Sequence, residues 1–352
     1  MTSSLEFGLF HEFPRRPEQS EADAFAEGLE LVDAAEAGGV DVVWVVELHQ
    51  STRSVLSSPL SVAAAIAGRT RRLRFGPAVQ VLPLANPLRL AEEWATVDQI
   101  SRGRLIFGVG RASSPRAYLA YGVPYEESRG RFAEALAIIR RAWTEPTLSY
   151  DGDFYHYANA VVSPRPYQQP YPPIRVAASS PETFTWLGAE GYPIFASGRL
   201  GDRTALKHDL ELYRAAYRAA GYPGDGAVYV RVPIYVAETM AEAIADPEPS
   251  IRQFYRDEAT HRGQLAAIGV SMRPNRGGER RPGPDEVSYE QALREKIIVG
   301  TPDVVAERLK ELKDDLGLAG ILAELNCGRL IPRERVLRSL ALLCGEVMPR
   351  FR

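Results

Sequence analysis

Leu73 to Arg111 reads LRFGPAVQVLPLANPLRLAEEWATVDQISRGRLIFGVGR. This stretch decides the fold. Leu73–Leu82 is a mostly apolar run broken by Pro83, and Asn86 followed by Pro87 marks a helix start, since Asn caps free N–H groups and proline suits the first helical position. Leu90, Ala91, Trp94 and Val97 recur at three- and four-residue steps, giving an apolar face that ends at Arg102-Gly103. Leu105–Val109 is a second short apolar run. Two strands joined by one helix are most simply parallel neighbours, because a crossover of this length packs back with the usual right hand.

The same alternation runs outward in both directions. Upstream lie strands at Leu5–Phe10 and Val40–Val46; the second is apolar almost throughout, as suits a parallel strand buried on both faces. Between them Phe25, Leu29, Val32 and Ala35 form a helical stripe. Downstream, strands are expected at Ile174–Ala178, Pro193–Ala196, Ala227–Val236 and Gly320–Leu325, with helices between and after them. Trp94 and Trp143 fall on apolar helix faces and read as packing residues. Eight strands alternating with at least eight helices predict a (β/α)₈ TIM barrel, an α/β fold with the doubly wound open sheet as its competitor. The 352 residues form one domain on this reading. Two excursions interrupt it: 147–173, a hairpin around Asp151-Gly152 followed by a proline-rich tether, and 264–293, a glycine-, proline- and charge-rich insertion read as a lid or disordered segment.

Composition narrows the function. A formal net charge of -3 gives no nucleic-acid footprint, and no apolar run approaches the ~20 residues of a membrane span. With no secretory pattern at its start, the chain is expected to be intracellular. Cys327 and Cys344 are too few for a disulfide framework and lack the company that a zinc site needs.

A barrel of this kind does chemistry at the C-terminal ends of its strands, so the residues there are the candidates. They are His11 and Glu12 after the first strand, Glu47, His49 and Gln50 after the second, and Gln80 and Asn86 around the third. Arg111, Ser113 and Ser114 follow the fourth; Ser179 and Ser180 the fifth; Ser197 and Arg199 the sixth; Asn326 and Cys327 the eighth. Ser179, Ser180 and Thr183 open a helix whose free N–H groups and positive dipole end suit a phosphate, with Arg111 as a fixed charge. The alternative is an ordinary capped turn. Glu47 and His49 are either an acid/base pair or a structural histidine with its partner. No metal is expected, because the strand ends lack the several His, Asp and Glu ligands that a metal site requires. His156, His208 and His261 fall away from the rim and are expected at the surface.

VWVVELHQ at 43–50, VLPLANPLRLAEEWATVDQISRGRLIFGVGR at 81–111, VAASSPETF at 176–184 and VGTPDVVAERL at 299–309 resemble the bacterial luciferase-like monooxygenases. The resemblance implies a (β/α)₈ barrel that binds FMN or reduced FMN, often supplied by a separate flavin reductase, usually works as a homodimer, and uses oxygen to insert one oxygen atom into a small-molecule substrate. Relatives of the same fold use the deazaflavin F420 for hydride transfer, and a non-catalytic flavin-binding relative is the third reading. Carried over by position, the flavin phosphate contacts fall on Arg111, Ser179, Ser180 and Thr183, with Val176 beside them. The family's non-proline cis peptide falls on Pro77-Ala78, an acidic position near the flavin on Glu47, and a hydroxyl on Ser197. Two departures stand out. Leu48 occupies the position of the catalytic histidine of luciferase, so that either His49 takes over proton handling or the flavin chemistry needs no side-chain base, and Gly110 occupies that of a reactive cysteine.

Overall fold

The computed structural model describes residues 4–51, 53–112, 115–196, 203–267 and 287–352. The strand ladder closes on itself. Glu6–His11 pairs in parallel with Val42–Val45, which pairs with Arg74–Pro77. That third strand resumes at Gln80–Val81 to meet Phe107–Gly110, which lies beside Ile174–Ala178. Ile194–Ala196, Val228–Val236 and Gly320–Glu324 follow, and Gly320 returns to Glu6. With the interrupted third strand counted once, eight parallel strands form the barrel in chain order, as expected. A short strand at Ile298–Gly300, absent from the sequence reading, pairs with the far end of the seventh.

The helix Pro87–Ser101 forms for the reasons visible in its sequence. Asn86 accepts from the Arg89 N–H at 3.1 Å, Pro87 sits at the first position, and Arg102 ends the helix in the left-handed region at φ 54°. Leu90, Ala91, Trp94 and Val97 are all buried, and the Trp143 indole donates to the Ala91 carbonyl at 2.9 Å, tying this helix to Ser128–Thr144. Asp98, an acid on this buried face, accepts from the Gln168 backbone and side chain at 2.9 and 2.8 Å. It fastens the proline-rich tether to the barrel.

Inside the barrel, alternate residues meet in two levels. At the base, Arg175 bonds Glu6 at 2.7 and 3.0 Å and lies over the rings of Trp44 and Tyr229. Trp44 has room because Gly8 and Gly76 flank it; a Cβ at Gly8 would fall 2.6 Å from the indole nitrogen. Nearer the top, Arg231 lies over Phe10 at 3.9 Å and bonds Glu324 and Glu12. One level is structural, and the upper one faces the mouth.

Both excursions differ in detail from expectation. In the hairpin, Leu148–Asp151 pairs with His156–Ala160, but Asp151 belongs to the strand and the turn is closed by Gly152 N–H to the Tyr155 carbonyl at 3.1 Å. Much of 264–293 lies outside the described residues. Its two flanks are helical, in Glu248–Ala267 and Tyr289–Glu295, where Ser288 caps the second helix and Tyr289 is buried.

Candidate active site

Two groups of predicted residues converge at the mouth. The first begins with Gln80, whose orientation is dictated by Trp94. An indole nitrogen can only donate, so its 3.1 Å bond must end on the Gln80 carbonyl oxygen, leaving the Gln80 amide to donate to Glu47 Oε2 at 2.5 Å. The Val81 N–H donates to the same oxygen at 2.7 Å. Glu47 Oε1 faces His49 Nε2 at 2.8 Å, and His49 Nδ1 faces the Tyr121 hydroxyl at 3.1 Å. Only 6% of the Glu47 side chain and 11% of that of His49 are exposed, whereas Tyr121 is half exposed. The result is one continuous hydrogen-bonded line from the buried indole to solvent.

The second group follows the neighbouring fourth and fifth strands. Val109 is in register with Val176, which brings Arg111 and the Ser179-Ser180 turn to the same edge of the rim. Arg111 is held from one side, its Nη1 donating to the Ser128 hydroxyl at 2.9 Å, and among the described residues it makes no ion pair. Ser180 occupies the cap position of the helix Pro181–Ala189 without capping it through its side chain. Its hydroxyl instead meets that of Thr183 at 2.9 Å. The ordinary capped-turn reading is therefore not what this serine does. Ser179 is exposed beside it.

Between these groups the inner surface is cut low. Ala177 and Gly110 are small, and a Cβ at Gly110 would stand 2.6 Å from Val79 Cγ2 and 3.4 Å from Ala177 Cβ. The Val79 side chain already fills the space that a residue at 110 would need. The non-proline cis bond is Ala78-Val79, one residue beyond the expected Pro77-Ala78. Pro77 is still paired in register with Val45, and the Ala78 N–H donates to the Val45 carbonyl at 2.8 Å, so the chain leaves the sheet only after Ala78.

Several other candidates are corrected. Val176 is buried on the face opposite Arg175 and Ala177, toward the helices, so its side chain does not line the mouth. His11 is buried, its Nε2 without a hydrogen-bond partner, and burial lowers its pKa to about 4. It is a neutral core residue. Asn86 caps its helix, and Asn326 accepts from the Ile331 N–H at 3.1 Å within its own loop. The hairpin tyrosines pack on helices: Tyr157 donates to Asn86 at 3.3 Å, and Tyr150 lies under Arg141. Ser113, Ser114, Ser197 and Arg199 lie outside the described residues, as do the side chain of His261 and most of the insertion. His156 and His208 are exposed, as expected. No group of three or more His, Cys, Asp or Glu side chains suited to a metal occurs among the described residues. Arg231 and Glu324 were missed. The signal was a lone charge in an otherwise apolar strand, Arg231 in VYVRVPIYV and Glu324 at the end of GILAE.

The profile of the luciferase-like monooxygenase family matches residues 5–319. The chain belongs to the luciferase-like monooxygenase family. The oxygenase component of the flavin-dependent trigonelline monooxygenase of Acinetobacter baylyi is 25% identical over 361 residues, covering 99% of this chain and 96% of the relative. The monooxygenase RslO1 of Streptomyces bottropensis superposes with a TM-score of 0.82 at 28% identity, covering 99% of this chain and all of the other. The oxygenating constituent of 3,6-diketocamphane monooxygenase from Pseudomonas putida, solved with FMN, superposes with a TM-score of 0.81 over 99% of both chains; at 22% identity it shows the shared fold. This member is thus an oxidoreductase of a flavin-dependent group. No described helix is long and apolar enough to cross a membrane.

Proposed function

We propose that the chain is the oxygenase of a two-component system, which takes reduced FMN from a separate reductase and inserts one atom of oxygen into a small organic substrate. The observation that carries this reading is the edge shared by Arg111, Ser180 and Thr183. It offers a guanidinium and two hydroxyls at a helix start, a donor set that matches a phosphate monoester. Beside it, Gly110 and Ala177 leave an inner surface without bulky side chains, which suits a flat ring system, with Ala78-Val79 at its border. The residues fit the flavin that the family uses.

When bound, the flavin supplies the oxygen chemistry. The chain supplies position, exclusion of water and a route for protons. Arg111 and the Ser180-Thr183 pair hold the phosphate. Glu47, fixed by Gln80 and Val81, takes the His49 Nε2–H and so leaves Nδ1 to accept from Tyr121. His49 then moves a proton between the mouth and solvent through its own ring, the part left to it by Leu48.

FMN titration of the wild type and Arg111→Ala tests the phosphate seat. The substitution is expected to weaken binding by about 1.5–3 kcal/mol, the scale of a hydrogen bond to a charged group. Equal affinity in a folded variant would contradict the assignment.

A further inference from the structure

The eight-strand order places Glu12, just after strand one, with Arg231 and Glu324 on strands seven and eight, across the barrel from Arg111 and Ser180, which follow strands four and five. Arg231 projects inward, since it shares its strand face with Tyr229 and lies over Phe10. It stands on the inner wall, yet 28% of its side chain is solvent-accessible. A side chain inside a barrel is wet only where it lines the mouth.

Its five N–H groups can be counted. Nε and one hydrogen of Nη2 bond the two oxygens of Glu324, and the other Nη2 hydrogen bonds Glu12 Oε1 at 3.0 Å. The two on Nη1 have no acceptor among the described residues, and Nη1 is not one of the buried atoms without a partner. Two oriented donors are therefore left unused among the described residues, on a side chain that is partly exposed. The charge behind them is already met: with Arg53 and Glu258 at 3.4 Å, two guanidinium groups stand against three carboxyl groups. An incoming carboxylate would add a fourth acid. An uncharged oxygen acceptor would use both N–H groups and add no charge.

We propose that Arg231 Nη1 is a specificity-determining contact for the oxygen of an uncharged carbonyl substrate, and that this mouth selects neutral ketones or amides over carboxylates. The inference rests on the barrel mouth being the oxygenation site described above. Glu12 and Glu324 are positioning residues that aim the fork.

Ligand-observed NMR with three probes of one ring size tests it: cyclohexanone, methylcyclohexane and cyclohexanecarboxylate, each titrated to its solubility limit into FMN-loaded protein. Cyclohexanone is expected to bind more tightly than either of the others. Arg231→Lys, which keeps the charge but lacks the planar fork, is expected to lose roughly tenfold or more in ketone affinity, the scale of a lost charged hydrogen bond, with FMN affinity unchanged. Arg231→Met is the harsher variant; where it fails to fold, the lysine variant still decides. Carboxylate binding equal to that of the ketone, no ketone binding, or no effect of Arg231→Lys would each overturn the proposal. Failure of FMN itself to bind the wild type would instead overturn the functional reading beneath it.

Discussion

Gln80 shows how one amide sets the direction of a line of hydrogen bonds. Because Trp94 can only donate, Gln80 must donate onward, and Glu47 must present its other oxygen to His49. Replacing His49 with Ala is expected to slow turnover by roughly 10²-fold, at the low end for a positioned acid/base group, with FMN affinity nearly intact. Undiminished turnover in stopped-flow or steady-state assays would remove it as the proton carrier. His11 gives a second prediction. Burial lowers its pKa to about 4, below an unfolded value near 6.5, so the unfolded chain binds a proton first as pH falls. Stability is therefore fully present above about pH 6.5 and declines toward pH 4, by up to roughly 3 kcal/mol. Urea unfolding of His11→Gln should lack that part of the decline; an unchanged profile would exclude His11 as its source. The sequence named Glu47 and His49 but not Tyr121, whose place depends on the packing of a short helix after the fourth strand.

Among elements, the contact between the third and fourth strands carries the sharpest constraint. A Cβ at Gly76 would lie 1.8 Å from the Ile106 carbonyl oxygen, and one at Gly108 1.9 Å from that of Pro77, so these strands touch through backbone. At Gly110 the obstacle is the Val79 side chain. Gly110→Ala is expected to cost about 1–3 kcal/mol in denaturant unfolding, the usual scale of overpacking, and Val79→Ala to recover much of it in the double variant. Strict additivity of the two changes would contradict the contact. Strands and helices here were legible because each apolar period matches its element, and several helices carry a side-chain cap at their start, as Ser20, Ser58 and Asn86 do. The cis bond was displaced by one residue because its position depends on where the third strand leaves the sheet, a matter of pairing with Val45. The excursions were legible as interruptions only: Asp151-Gly152 resembles a tight turn, but the strand pairing includes Asp151 and the turn begins at Gly152.

Across the whole molecule, the barrel holds one set of paired charges at its base, around Arg175, and another nearer its mouth, around Arg231. Burial alone would raise the Glu6 pKa, but the hydrogen bonds and charges of Arg175 and Arg74 outweigh it and hold the carboxyl below its usual value. This support is present above the ordinary carboxylate pKa and is lost as pH falls through the lowered one. Arg175→Met, which leaves the acid without its main partner, is expected to destabilise by about 3–5 kcal/mol. Urea unfolding near neutral pH measures this, and a loss under 1 kcal/mol would show that Arg74 suffices. The fold was readable from the chain because eight strands and their helices repeat one pattern. Arg175 and Arg231 were not, since an isolated charge in an apolar strand declares its role only once the neighbours that compensate it are known. Anaerobic titration with reduced FMN and, separately, reduced F420, followed by admission of oxygen, tests the proposed oxygenase activity. Reduced FMN is expected to bind preferentially, more weakly in Arg111→Ala, with oxygen uptake stoichiometric with the bound flavin. Preferential binding of reduced F420 without oxygen uptake would contradict it.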